Sequence, residues 1–289
     1  MRNPLFSITI ITISFCFYAI ADYDNAPLWE DQTAYTHQSW DFGDSGEYGT
    51  PDMVTDMSAL PLGQYTDGEP NEFNNYGTPT LDAFYNSHFF MKGWMYVPEI
   101  AQTSRVAMYG GMGDTSVSFT VPGMQAGSDW IRQLWVQTII YARKDGQQAG
   151  KIETARDSQF ADKTGITEIS ETIEPLAEME GYSAAWYRMT SVYEVTDSDQ
   201  NDYIKVWAYF DPELPDPERL GASMIDRVDI DTRLILKADI NRNGIVNYAD
   251  FSTMAFHWST NNDQTDLTND GIINSDDLLY LSSMWLGTN

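Results

Sequence analysis

Tyr203-Ile204-Lys205-Val206-Trp207-Ala208-Tyr209-Phe210 alternates with a period of two, the spacing at which a β-strand sends successive side chains to opposite faces. Ile204, Val206, Ala208 and Phe210 make an apolar face, and Lys205, Trp207 and Tyr209 make the other. Two more stretches follow the same rule. In 134–143 the core face is Leu134, Val136 and Ile140, set against Trp135, Gln137, Tyr141 and Arg143. In 184–195, Tyr187, Met189, Tyr193 and Val195 lie opposite Trp186, Arg188, Thr190 and Glu194. Working outward, strand-like segments recur at 93–97, 105–109, 115–121 and 223–236. They are bounded by turn signals such as Gly110-Gly111, Pro122-Gly123, Asp145-Gly146, Glu180-Gly181 and Asp211-Pro212. Within 22–237, helical periodicity is confined to 169–178. The pattern predicts a mainly β fold, an antiparallel β-sandwich of jelly-roll type over 22–237, opening with an acidic, turn-rich segment.

If the three alternating strands share a sheet, its outer face gathers Trp135, Gln137, Tyr141, Arg143, Trp186, Arg188, Lys205, Trp207 and Tyr209. Flat rings beside charged hydrogen-bonding groups are what a sugar needs, since its apolar faces stack and its hydroxyls require polar partners. The other reading is a face covered by the long N-terminal segment, because large aromatics favour strands in any case.

The 289 residues carry a formal net charge of −27. Such a chain repels nucleic-acid phosphates and anionic lipid, so neither is expected as a partner. Residues 1–21 read as an export signal: Arg2 at the start, an apolar run from Leu5 to Ile20, and Ala19-Ile20-Ala21 before a mature start near Asp22. The run is short for a membrane span, and none is expected after its removal. Cys16, the one cysteine, lies inside it. The mature chain is then without disulfides or thiolate metal sites, which suits a secreted or cell-surface bacterial protein.

The C-terminal stretch, 238–289, obeys another rule. Asp239, Asn241 and Asn243 set short oxygen-bearing side chains at alternate positions, and Gly244 follows where a loop must turn. Ile245 offers its carbonyl, Asn247 reaches through water, and Asp250 closes the loop at the twelfth position. Asp266, Thr268, Asp270, Ile272, Asn274 and Asp277 repeat the set 27 residues later, around Gly271. Hard divalent cations take several oxygens, so the spacing predicts two calcium ions. The register continues past the loops. Phe251, Met254, Ala255 and Trp258 stand at helical spacing and Leu278, Leu281, Ser282 and Trp285 repeat them. The tail is thus expected to be a small α-helical paired calcium-loop domain, with Val246 and Ile273 pairing the loops and Trp258 and Trp285 in its core.

These duplicated loops, each running into a helix, resemble a type I dockerin over Asp239 to about Leu286. The resemblance implies folding on calcium, docking onto a cohesin-like domain of a partner protein, and a polysaccharide-degrading context. Tyr248-Ala249 and Ser275-Asp276 stand where that family usually has paired small hydroxyl residues.

The expected function is a non-catalytic, exported, carbohydrate- or extracellular-ligand-binding protein with a docking tail. A secreted glycoside hydrolase or polysaccharide lyase and a structural surface protein remain as alternatives. No spacing singles out a carboxylate pair of the kind glycosidases use. A hydrolytic triad would have to use His37 or His88, and no Gly-x-Ser-x-Gly elbow occurs.

Overall fold

The computed structural model describes residues 35–41, 77, 79–85, 89–92, 106–109, 114–124, 127–143, 149–178, 184–196, 199–210 and 223–287. Among these the chain is mainly β. Its strands are β1 (Tyr35–Asp41), β2 (Thr80–Tyr85), β3 (Phe89–Lys92), β4 (Val106–Tyr109), β5 (Thr115–Val121), β6 (Trp130–Arg143), β7 (Gly150–Ala155), β8 (Ile166–Glu178), β9 (Ala184–Val195), β10 (Asp202–Ala208) and β11 (Met224–Leu236). Two short helices follow, α1 (Tyr248–Phe256) and α2 (Ser275–Ser283). The strands form two antiparallel sheets. The larger runs β3-β4-β11-β6-β9-β8, with β1 also on β11, and the smaller runs β2-β5-β10-β7.

One apolar cluster draws on both sheets. Val117, Phe119, Ile152, Ile204, Val206 and Ala208 of the smaller meet Leu134, Val136, Ile140, Tyr187, Met189, Ile225, Val228 and Ile230 of the larger. Most inward residues of β6, β9 and β10 are those the alternation assigns, but Phe210 lies past the end of β10 and is only half-buried, and Val195 is buried outside this cluster. Tyr193 crosses the cluster, its hydroxyl donating to the Ile152 carbonyl at 2.8 Å; burial pushes this phenol well above its ordinary range, so it stays a neutral donor. At one end the fully buried Arg132 donates to the carbonyls of Pro122 and Gln200 at 3.1 and 3.0 Å and pairs with Asp202, which also takes Arg156.

Several expectations are corrected. Residues 169–178, read as helical, belong to β8, which pairs along its length with β9. The exposed edge explains the misreading: β8 has few inward apolar residues to mark a period of two, and it tolerates Pro175, next to a register shift, because one side of an edge strand needs no ladder donor. β1 lies in the segment read as turns, and β2, β3 and β7 were not foreseen. The expected strand at 93–97 and His88 lie outside the described residues.

Gly150 at the start of β7 marks a close approach. A Cβ there would overlap the Trp207 carbonyl oxygen and stand 2.7 Å from Ile140 Cδ1 and 2.8 Å from Met189 Sδ. Gly150→Ala is expected to lower the unfolding free energy by about 1–3 kcal/mol in urea titration. An unchanged midpoint would contradict this packing.

Candidate functional site

Among the described residues, 238–287 hold the most regular local chemistry. Each helix begins with an asparagine cap and a reciprocal capping box: Asn247 with Asp250 in α1, and Asn274 with Asp277 in α2. A cap of this kind satisfies amide donors that a helix start leaves unpaired. Here it also fixes where the loop-closing carboxylate points.

In loop 1 (239–250), the Asp239 carboxylate accepts from the amides of Asn243 and Gly244 at 3.1 and 2.8 Å. Asp250 accepts from the amides of Asn241 and Asn247 at 3.0 and 2.8 Å. Asn241 and Asn243 each accept from the amide two residues on, at 3.0 Å. Loop 2 (266–277) repeats the scheme. Asp266 accepts from Asp270 and Gly271 amides at 3.2 and 2.7 Å, Asp277 from those of Thr268 and Asn274 at 3.0 and 2.9 Å, and Asp270 from the Ile272 amide at 3.0 Å. The backbone repeats too. Gly244 and Gly271 have φ of 93° and 91°, and Arg242 and Asn269 have φ of 60° and 56°.

Asp239, Asp250 and Asp277 are fully buried and Asp266 nearly so. Carboxylate oxygens of Asp266, Asp270 and Asp277 all lie within 4.8 Å of one another. Three acids held that close, with the Thr268 hydroxyl donating to Asp277 at 3.0 Å, make an all-oxygen set that fits a hard divalent cation. Loop 1 offers two acids with Asn241 and Asn243, neutral oxygens replacing charge. Asn247 and Asn274 contribute as caps, their amide groups donating to the Ile245 and Ile272 carbonyls at 3.0 and 3.1 Å.

A second apolar cluster lies beneath the loops: Leu236, Ala238, Ile240, Val246, Met254, Leu267, Ile273 and Leu281, with Phe251, Leu278, Tyr280, Met284 and Trp130 packed against it. Val246 and Ile273 are buried as expected, but they do not pair the loops directly. Val246 exchanges 2.9 Å backbone bonds with Leu286 and Gly287, beyond α2, and Ile273 does so with Ser259 and Thr260, beyond α1. Each loop therefore clasps the exit of the other's helix. Trp258 and Trp285 follow the helix ends and are 42% and 43% exposed, so they are not core residues. Each helix ends before its tryptophan, which frees that side chain from the apolar stripe.

The expected ligand face divides in two, because β6 and β9 belong to the larger sheet and β10 to the smaller. Outward residues of strands in opposite sheets point away from each other. On the larger sheet, Trp135, Gln137, Tyr141 and Trp186 are buried. Tyr141 meets Trp186 at 5.4 Å, Gln137 donates to Thr190 at 3.1 Å, and Arg188 approaches Glu174 at 3.6 Å. Beside them stand groups the sequence reading missed: Asp231, whose carboxylate lies 2.7 Å from His37 Nδ1, and Asp229, which takes Arg227 Nε at 2.9 and 2.8 Å. Their alternation with Val228 and Ile230 is visible in β11 and was the signal for them. On the smaller sheet Lys205, Trp207 and Tyr209 form a half-buried row. The two rings stack at 6.3 Å, Lys205 Nζ lies 4.2 Å from the Trp207 centroid, and Trp207 Nε1 donates to Glu153 at 3.1 Å. Arg143 reaches this row from β6, its guanidinium carbon 5.6 Å from the Tyr209 centroid.

Asp277 supplies a pH test. Burial alone would raise its pKa, but amide bonds from Asn274, Thr268 and Leu267 and the Thr268 hydroxyl outweigh it, leaving the group below its ordinary value of 3.8. A depressed carboxylate adds stability above its unfolded value and loses it as pH falls through the folded one. The metal-free chain should therefore lose the Thr268 and Asn274 amide signals in NMR spectra as pH drops below 3.8. Asp277→Asn should flatten that dependence, and an unaltered pH profile in the variant would contradict the assignment. Comparison with protein-family models, with curated proteins and with solved structures finds no match for this chain.

Proposed function

We propose that residues 238–287 are a paired calcium-binding module of dockerin type, carried by an exported β-sandwich protein of jelly-roll type, and that the module docks the chain onto a partner protein domain of cohesin-like character. The observation that carries this reading is the 27-residue repeat of caps, left-handed positions and carboxylate bonds, ending in two loops lined with oxygen. Asp239, Asn241, Asn243, the Ile245 carbonyl and Asp250 would hold one ion; Asp266, Thr268, Asp270, the Ile272 carbonyl and Asp277 would hold the other. A bound calcium would neutralise carboxylates that otherwise depend on hydrogen bonds, most of them from backbone amides, and so stiffen the module.

Support for docking comes from the surface. Among the described residues the exposed large hydrophobics, Ile169 apart, all belong to this unit, including Tyr248, Phe256, Trp258, Leu279, Trp285 and Leu286. So much apolar surface on one small unit marks an interaction site.

Calorimetry should count two calcium ions per chain, with dissociation constants between about 10⁻⁶ and 10⁻³ M. Asp239→Ala and Asp266→Ala should each remove one ion and the double variant both. Binding that survives the double substitution would sink the assignment.

A second reading, glycan binding, is favoured by the row of Lys205, Trp207 and Tyr209 on the smaller sheet. Its rings and the Lys151–Glu153 pair, 2.6 Å apart, combine stacking surface with hydrogen-bonding groups. Polysaccharide pull-down by the full chain should then be lost in Trp207→Ala without new reducing ends appearing. Failure of the unaltered chain to retain any polysaccharide would remove this reading and leave the calcium module untouched.

A further inference from the structure

The two loops share their left-handed backbone positions and the amide bonds to their first and last carboxylates, and they differ at the fourth position. Asn269 occupies it in loop 2 and Arg242 in loop 1, both in the left-handed region. Asparagine tolerates that region well, whereas an arginine gains nothing locally from it. The Arg242 side chain instead leaves the loop. Its Nε and Nη2 donate to the two carboxylate oxygens of Glu194 on β9, at 2.6 and 2.7 Å, and its Nη1 donates to the backbone carbonyl of Asp239 at 2.6 Å. The side chains are only 20% and 15% exposed. One planar guanidinium thus grips a sheet strand with two donors and the first residue of loop 1 with a third, and such a fork fixes direction as well as distance.

We propose that Arg242 is a positioning residue that couples calcium at loop 1 to the stability of the two sheets. The inference rests on the calcium reading above. The Asp239 carboxylate would ligate the ion while its carbonyl anchors the fork, so the arrangement of residue 239 that suits the ion is also the one that suits the bond to Glu194. Linkage then works in both directions: an ion that holds Asp239 strengthens the grip on β9, and the grip presents Asp239 ready for the ion. The surroundings favour transmission. Asp239 lies three residues past the end of β11 and its amide donates to the Leu236 carbonyl at 2.9 Å, and Leu236 and Trp130, from the larger sheet, pack in the module's own cluster.

The test uses the full chain. With calcium at about a hundredfold excess over its dissociation constant, the β transition followed by circular dichroism should rise by about 5 °C. Arg242→Asn installs the residue that loop 2 already uses at this backbone conformation, and Glu194→Gln removes the acceptor charge without touching the loop. Each should lose at least half of the calcium-dependent rise while calorimetry still counts two ions. An ion pair with a merely structural role would lower the melting temperature equally with and without calcium, leaving the rise intact. Variants that keep more than half of the rise would overturn the proposal. If the unaltered chain binds no calcium, the reading of the module fails and this coupling with it; if it binds two ions without a rise in the β transition, the coupling alone fails.

Discussion

A carboxylate taken out of water must be met by hydrogen-bond donors or by a cation, and the C-terminal unit buries four of them, Asp239, Asp250, Asp266 and Asp277. Everything else in that unit follows from this requirement. The chain turns sharply at Gly244 and Gly271 so that successive amides can aim at Asp239 and Asp266. The helices begin where they do because Asp250 and Asp277 serve both as loop-closing acids and as partners in the capping boxes. Two to three amide bonds per carboxylate hold the loops in shape but leave net negative charge inside, and calcium would complete the compensation.

The same constraint explains why so small a unit has a shared core. One apolar cluster draws residues from both loops and both helices. Val246 and Ile273 each clasp the far helix exit, and Met254 and Leu281 meet beneath them. Leu236 and Trp130 extend that cluster into the larger sheet, and Tyr280 adds a hydroxyl bond of 2.7 Å to Asp129. The module is therefore built onto the end of β11 and the start of β6, and its loop 1 faces β9 through Arg242.

Legibility in the sequence followed the strength of local pattern. β5 and β9 were readable to the residue, and β6, β10 and β11 nearly so, since their apolar residues alternate against a shared core. β8 was not, because an edge strand facing solvent carries little apolar signal, and its Pro175 and acidic residues imitate other structures. The oxygen-bearing loop residues and helix caps of 239–250 and 266–277 were readable because loop geometry is written in short-range spacing. What escaped was long-range: strand order decides whether Trp207 shares a face with Trp135 and Trp186, and no local period records that β10 sits between β5 and β7. His37 with Asp231, 194 residues apart, and Arg242 with Glu194 were hidden for the same reason.

A structure of the full chain grown with calcium, with the ions located by their anomalous scattering, tests the central claim most directly. The account predicts two peaks, each about 2.3–2.6 Å from oxygen ligands, one among Asp239, Asn241, Asn243 and Asp250 and one among Asp266, Thr268, Asp270 and Asp277. Peaks elsewhere on this acidic surface, or none in the two loops, would contradict it.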